Sequence, residues 1–338
     1  MIKFTELKET SRKVLRDVIP LAKPFTLLIE PSSLCNFRCK MCFQSAKEQG
    51  EFKNKRSNMT IECFEKIVEQ VKAWQGDKFK VLKLCIYGEP FINSAFSKML
   101  HIAKETNIAE RIETTSNASL LTEDLCRELV LYGLDYLRVS IYSAIPEKHA
   151  EITHSNIPMQ KIYDNLEMLK RIKKEMKSDK PFVAVKMLDT YSDENQVFQK
   201  MYQSVADEIY LDQPHNWVQP SKEGFIDKLY DEVPTLQKSK RIACTMPFTT
   251  LAVRSNGDVA PCCIDWYGGT NIGNIYNRTL SEIWNGENLY QMRVLQLTDR
   301  KKENISCRNC EFYKSNYYTR DNIDGFPVEK LRDSSMNL

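Results

Sequence analysis

The sequence predicts an α/β chain whose parallel sheet curves into a concave, partly open barrel, followed by a small cysteine-rich domain. Between residues 25 and 215, short apolar runs alternate with longer amphipathic stretches, as repeated strand–helix units require. Several of these strands carry apolar and polar residues at alternate positions, whereas strands covered on both faces read as continuous apolar runs. Beyond residue 240 the texture changes to clustered cysteines around a tight turn.

Six strands are expected: Phe25 to Pro31, Val81 to Tyr87, Ile112 to Asn117, Tyr136 to Tyr142, Pro181 to Leu188 and Glu208 to Asp212. Between them, Thr60 to Trp74, Ser94 to Thr106, Thr122 to Tyr132, Gln160 to Lys177 and Asp193 to Ala206 place apolar residues three and four apart, the helical spacing. Strand parity sends Leu137, Val139 and Ile141 towards the helices and Arg138, Ser140 and Tyr142 the other way. The same alternation gathers Lys83, Cys85, Tyr87 and Glu89 with Glu113, Thr115 and Asn117, and adds Glu30, Lys186, Tyr210 and Asp212. So many polar groups on one face suit a lumen that holds a polar ligand, since unpaired buried polar groups are costly; a solvated sheet face is the alternative. The expected segments are an amino-terminal extension (1–24), the barrel (25–235), the cysteine-rich domain (236–318) and a charged tail (319–338), read as a surface segment with a lid as an option.

At 338 residues and 42% hydrophobic content, the chain can bury a full domain and a smaller one. The formal charge of +3 is spread along the length without a basic run interleaved with aromatics, so neither nucleic acid nor membrane is an expected partner. Met1 to Pro20 lacks the apolar core of a signal peptide or a membrane span, and a cytoplasmic location is expected. In a reducing compartment, eleven cysteines point to metal ligands or inert packing rather than disulfides. Cys63 and Cys126 fall within helical patterns and read as packing residues, while Cys85 faces the lumen.

Directly after the first strand stands Cys35-Asn36-Phe37-Arg38-Cys39-Lys40-Met41-Cys42, a C-x3-C-x2-C triplet. Fe–S clusters usually take four cysteines, so a close triplet leaves one iron open for an outside ligand; a zinc site or three unrelated thiols is the alternative. This triplet resembles that of the radical S-adenosylmethionine superfamily. Tyr87-Gly88-Glu89-Pro90 is similar to the family's Gly-Glu-Pro element, which in relatives contacts the methionine amino group. Thr115-Ser116-Asn117-Ala118 approximates its Thr-Asn-Gly-like element, and Ser140 its polar fourth-strand position. Tyr87 stands where the family carries glycine, and so does Ala118. The resemblance implies a partial (β/α)6 TIM barrel, a [4Fe–4S] cluster on Cys35, Cys39 and Cys42, and S-adenosylmethionine contacts from Met41, Phe43, Tyr87, Gly88, Glu89, Pro90, Ser116, Asn117 and Ser140. It further implies reductive cleavage of the sulfonium to a 5'-deoxyadenosyl radical that abstracts hydrogen from a substrate in the lumen.

From Cys244 onward come a turn at Ser255-Asn256-Gly257-Asp258, the pair Cys262 and Cys263, a helical stretch around Leu280 to Trp284, and Cys307-Arg308-Asn309-Cys310. The region resembles the SPASM or shortened twitch domain of that superfamily, including Ile272-Gly273-Asn274-Ile275. It implies a second [4Fe–4S] cluster on Cys244, Cys262, Cys307 and Cys310, with Cys263 able to replace Cys262, and a four-cysteine zinc site as the alternative.

The resemblance implies an oxidoreductase of the dehydrogenase or epimerase type, fed by an electron donor such as flavodoxin or ferredoxin. The polar lumen favours a small carbohydrate- or polyol-like substrate, with Arg138, Lys186, Tyr142 and Cys85 as the expected reacting or neutralising groups. A peptide-modifying maturase is the other expectation. It is disfavoured because about 24 residues before the first strand and about 28 after Cys310 are too few for a separate leader-binding domain.

Overall fold

A computed structural model of the chain describes residues 12–42, 44, 56–212, 240–265, 268–308, 310, 312–315 and 318–332. Strands β1 (Thr26–Ile29), β2 (Phe79–Leu84), β3 (Ala109–Ser116), β4 (Tyr136–Ser140), β5 (Phe182–Leu188) and β6 (Glu208–Asp212) pair in parallel, each with its neighbour in sequence. Helices α1 (Ile61–Ala73), α2 (Phe96–Glu105), α3 (Glu123–Leu131), α4 (Pro146–Thr153), α5 (Met159–Glu175) and α6 (Glu194–Tyr202) connect them. Phe64, Ile67, Val68 and Val71 of α1 join Leu27, Ile29, Leu82, Leu84, Leu137, Val139, Val183 and Val185 in one core. Each such side chain contributes about 1.5–3 kcal/mol on burial. Thr60 and Thr122 cap α1 and α3, accepting from the N–H of Cys63 and Leu125 at 3.2 Å.

On the other face the register lines up three rungs. Lys83, Glu113, Tyr136 and Phe182 form the first; Thr115, Arg138, Ala184 and Glu208 the second; Ser140, Lys186 and Tyr210 the third. The alternation read from the sequence is therefore the real division between the helix-covered face and the lumen.

The sheet does not stop at six strands. β7 (Thr250–Val253) adds in parallel to the free edge of β1, and β8 (Asp258–Ala260) and β9 (Gly273–Asn274) follow antiparallel, giving the order β6-β5-β4-β3-β2-β1-β7-β8-β9. The expected hairpin turn is present, with Gly257 at φ +85°. The sheet is open, and α7 (Leu280–Trp284) and α8 (Glu287–Leu297) follow β9.

Three local expectations differ from the structure. β2 ends at Leu84 rather than Tyr87, because the chain turns there so that the Glu89 N–H reaches the Leu34 carbonyl at 2.8 Å. α4 and α8 were not expected: α4 is only eight residues, and α8 buries Arg293 and Gln296 beside Leu289 and Met292, which erases its apolar stripe. The tail from 318 to 332 is not a surface segment. Ile323, Phe326 and Leu331 are buried with Leu15, Ile19, Ala243 and Phe248, and Arg12 from the amino-terminal extension pairs with Asp321 and stacks over Tyr318. No helix among the described residues is long and apolar enough to cross a membrane.

Candidate functional site

The cysteine triplet lies on the loop beyond the carboxyl end of β1, where parallel barrels place their sites. Helix α4 braces it. The carbonyls of Thr153 and Ile152, left without intrahelical partners at the helix end, accept from the N–H groups of Arg38 and Lys40 at 2.8 Å. Burial drives the pKa values of Cys35, Cys39 and Cys42 up, Cys35 to about 11; the Glu89 carboxylate and the Cys42 thiol add to the shift at Cys35, and the two neighbouring thiols add to it at Cys39. No three Cys, His, Asp or Glu side chains among the described residues close to the spacing of a single metal ion. Three largely desolvated thiols on one loop fit a cationic iron–sulfur core, which would stabilise the thiolate forms that burial disfavours.

A second layer ties this loop to the sheet. A Cβ on Gly88 would lie 2.3 Å from the carbonyl oxygens of Ser32 and Leu34, so only glycine allows the turn to rest on the chain leading into Cys35. Glu89, 2% exposed, accepts from the Ser116 hydroxyl at 2.7 Å, the Asn117 N–H at 2.8 Å and the Phe91 N–H at 3.3 Å. Pro90 opens the short turn after it. Burial, only partly offset by these donors, raises the Glu89 carboxyl to about 7. Asn117 donates to Asn36 at 2.9 Å and Ser119 bridges both, so β3 holds the residue directly after Cys35. Met41 packs against the main core; Phe43 lies outside the described residues.

The lumen residues divide. Tyr142 hydrogen-bonds Cys39 and so belongs to the first cysteine site. Lys186 is paired with Asp212, and Lys83 and Arg111 with Glu113. Arg138 lies near Tyr210, Tyr136, Glu113 and Cys85, with its buried Nε unpartnered. Ser140 stands beside Lys186 in register. Cys85 has Lys83 and Thr115 as neighbours.

Cys244, Cys262, Cys307 and Cys310 line one cavity that encloses about 500 Å³ of atom-free space, part of it open to solvent. Gln296 spans it, accepting from the Cys244 N–H at 3.4 Å and donating to Cys307 Sγ at 3.8 Å. Burial pushes Cys244 and Cys307 up to about 12, and the neighbouring thiols add to the shift. The donor set again fits an iron–sulfur core. Cys263 does not line this cavity. It packs with Ile86 beside Leu28, Ala252 and Ala260, in the fields of Lys83 and Cys85, with Cys310 more weakly felt. The Cys244 loop is held by Asp324, which accepts from the N–H groups of Ile242 and Ala243 at 2.8–3.1 Å.

Sequence reasoning missed Asn36, His149, Gln296 and Asp324, because each acts through the backbone or through a neighbour. His149 is 1% exposed with an unpartnered Nε2, its ring 6.2 Å from those of both Phe37 and Tyr142. Tyr87, expected among the S-adenosylmethionine contacts, donates its hydroxyl to the Asp265 carbonyl at 2.7 Å, joining the Gly88 turn to the carboxy-terminal loop.

Residues 29–180 match the radical SAM superfamily model, and residues 244–311 the SPASM iron–sulfur cluster-binding domain. The chain is 23% identical over 311 residues to the tungsten-containing aldehyde ferredoxin oxidoreductase cofactor-modifying protein of Pyrococcus furiosus, covering 80% of this chain and 83% of that one. It is 22% identical to the S-adenosyl-L-methionine-dependent 2-deoxy-scyllo-inosamine dehydrogenase of Niallia circulans, covering 85% and 93%. In fold it is similar to BtrN in complex with AdoMet and 2-DOIA (TM-score 0.56, 18% identity, 85% and 93% covered). It is also similar to Streptococcus suis SuiB bound to the precursor peptide SuiA (TM-score 0.55, 16% identity, 89% and 72% covered). With the cysteine triplet on the β1 loop and the four-cysteine cavity beyond β7, the chain belongs to the radical SAM superfamily, carries a SPASM domain, and uses S-adenosylmethionine with iron–sulfur clusters.

Proposed function

We propose that this enzyme is a dehydrogenase-type oxidoreductase acting on a small hydroxylated substrate, carbohydrate- or polyol-like, with one [4Fe–4S] cluster at Cys35, Cys39 and Cys42 and another at Cys244, Cys262, Cys307 and Cys310. The lining of the lumen carries the reading: Arg138, Lys186 with Asp212, Lys83 with Glu113, Tyr136 and Tyr210 offer dense, directional hydrogen bonding on one face of the sheet. The dehydrogenase of Niallia circulans, which matches over most of its length, supports the same class.

When bound, S-adenosylmethionine and the clusters supply the hydrogen-abstracting radical and the acceptor for the surplus electron. The chain's own groups do the rest. Glu89, Ser116 and Asn117 fix the turn that carries Gly88, and Met41, Pro90 and Ser140 would help to hold S-adenosylmethionine. Arg138 orients the substrate hydroxyls, and the Lys186–Asp212 pair takes the hydroxyl proton as the carbon is oxidised. Tyr142 steadies Cys39, and Cys85 borders the substrate. The physiological reductant is a flavodoxin or ferredoxin, and the compartment the cytoplasm.

The test is anaerobic reconstitution followed by incubation with S-adenosylmethionine, dithionite and a panel of cyclitols, aminocyclitols and sugars. The expected result is substrate-stimulated 5'-deoxyadenosine with a product lighter by two hydrogens. Stimulation by peptides alone would replace this reading with peptide maturation, which the likeness to SuiB favours.

A further inference from the structure

Four buried side chains meet where the barrel joins the carboxy-terminal loop: Glu30 after β1, Tyr87 after β2, Arg254 after β7, and Asp265 three residues beyond Cys262. They are 2%, 8%, 5% and 0% exposed. Arg254 donates to the Asp265 carbonyl at 2.8 Å and forms an ion pair with its carboxylate. That carboxylate also accepts from the Thr270 N–H at 3.2 Å and from the hydroxyl of Ser306, the residue before Cys307. Asp265 therefore bonds to one cysteine-bearing segment and is part of the other, and its charge is felt at both Cys262 and Cys307. Arg254 lies 5.8 Å from the centre of the Tyr87 ring, whose hydroxyl shares the Asp265 carbonyl. Nothing in the hydrogen abstraction requires a buried ion pair here, and burying two charges carries a desolvation cost that only their close pairing and the surrounding hydrogen bonds offset.

We propose that Arg254 and Asp265 are positioning residues that set the reduction potential of the auxiliary centre: the guanidinium cancels the carboxylate beside the thiolates and keeps that centre a ready electron acceptor. This rests on the proposed function, in which the substrate radical loses one electron to the auxiliary centre, which is reduced by one, while the hydroxyl proton leaves to a base. An uncompensated carboxylate beside the thiolates disfavours the extra electron; an uncompensated guanidinium favours it.

The experiment is an EPR-monitored redox titration of the anaerobically reconstituted full chain without substrate, in a background where Cys35, Cys39 and Cys42 are changed to Ala so that only the auxiliary signal is present. Arg254→Gln is expected to lower the potential, and Asp265→Asn to raise it, each on the order of tenfold in the electron-transfer equilibrium, about 59 mV for one electron. Arg254→Lys should stay near the parent value. Opposite signs cannot come from loosened packing, which would move both variants alike. Intact iron with unmoved potentials, shifts of the same sign, or loss of iron in Arg254→Lys as well as Arg254→Gln overturns the inference while leaving the dehydrogenase reading in place. A parent protein without auxiliary iron overturns both.

Discussion

Replacing Gly88 by alanine tests whether the turn after β2 determines the geometry of the first cysteine site. The new Cβ would lie 2.3 Å from each of the Ser32 and Leu34 carbonyl oxygens and 2.8 Å from the Ser33 carbonyl carbon. A comfortable carbon–oxygen approach is about 3.3 Å, so the overlap is roughly 1 Å on two sides. Every colliding atom is backbone, so no rotamer relieves it, and the turn must retreat from the segment entering Cys35. That retreat stretches the 2.8 Å bond from the Glu89 N–H to Leu34 and, through Glu89, the contacts to Ser116 and Asn117. Overpacking of this kind costs about 1–3 kcal/mol, and a displacement of about 1 Å in a positioned group costs on the order of a hundredfold in rate. The variant should thus form about a hundredfold less 5'-deoxyadenosine while keeping about four irons at the carboxy-terminal site, measured by iron and sulfide quantitation and by product chromatography. Wild-type iron content with cleavage within about threefold of normal would refute the claim that this contact sets the site.

Burial lowers His149 from 6.5 to about 4, so the folded protein keeps it neutral while the unfolded chain takes up a proton below about 6.5. Its contribution is complete above that value and is lost as pH falls towards 4, at most about 3 kcal/mol. Urea midpoints at pH 7 and 5 should show this slope in the wild type and lose it in His149→Phe; equal slopes would exclude the histidine as its source. Cys262→Ala should remove about four irons and Cys263→Ala none, because only Cys262 lines the four-cysteine cavity; iron counts on the two purified variants decide it. Asp324→Ala leaves the Ile242 and Ala243 N–H groups without their acceptor next to Cys244, at about 1–3 kcal/mol, and should lower auxiliary iron occupancy while sparing the first cluster, as EPR spin quantitation would report.

The barrel was legible because its two faces differ chemically: the rung Thr115, Arg138, Ala184, Glu208 and the core run Leu137, Val139, Ile141 alternate at the period a strand imposes. The cysteine spacings were legible because a cluster restricts how its ligands are arranged along the chain. What stayed hidden depends on third dimensions of contact. Asp324 is one acid among many until its chain folds back on Ile242, and Arg254 is one basic residue among many until the end of β7 brings it beside Tyr87. The four residues of β7 are too few to announce a parallel partner 224 positions away, as in the pairing of Thr26 with Thr250. The tail looked solvated because its apolar residues are sparse, yet three of them complete a core begun by Leu15 and Ile19.

That β7 pairing also limits how the enzyme can be rearranged. The carboxy-terminal part cannot be treated as a detachable cassette to be exchanged among relatives at the domain boundary. Cutting the chain near residue 240 would turn β1, whose Leu27, Leu28 and Ile29 are 0%, 6% and 0% exposed, from an interior strand into an apolar edge with a bare row of N–H and C=O groups. Such an edge invites pairing between molecules. A graft that keeps Thr250–Val253 with the barrel and joins the foreign segment after the β7 strand is the one expected to stay monodisperse.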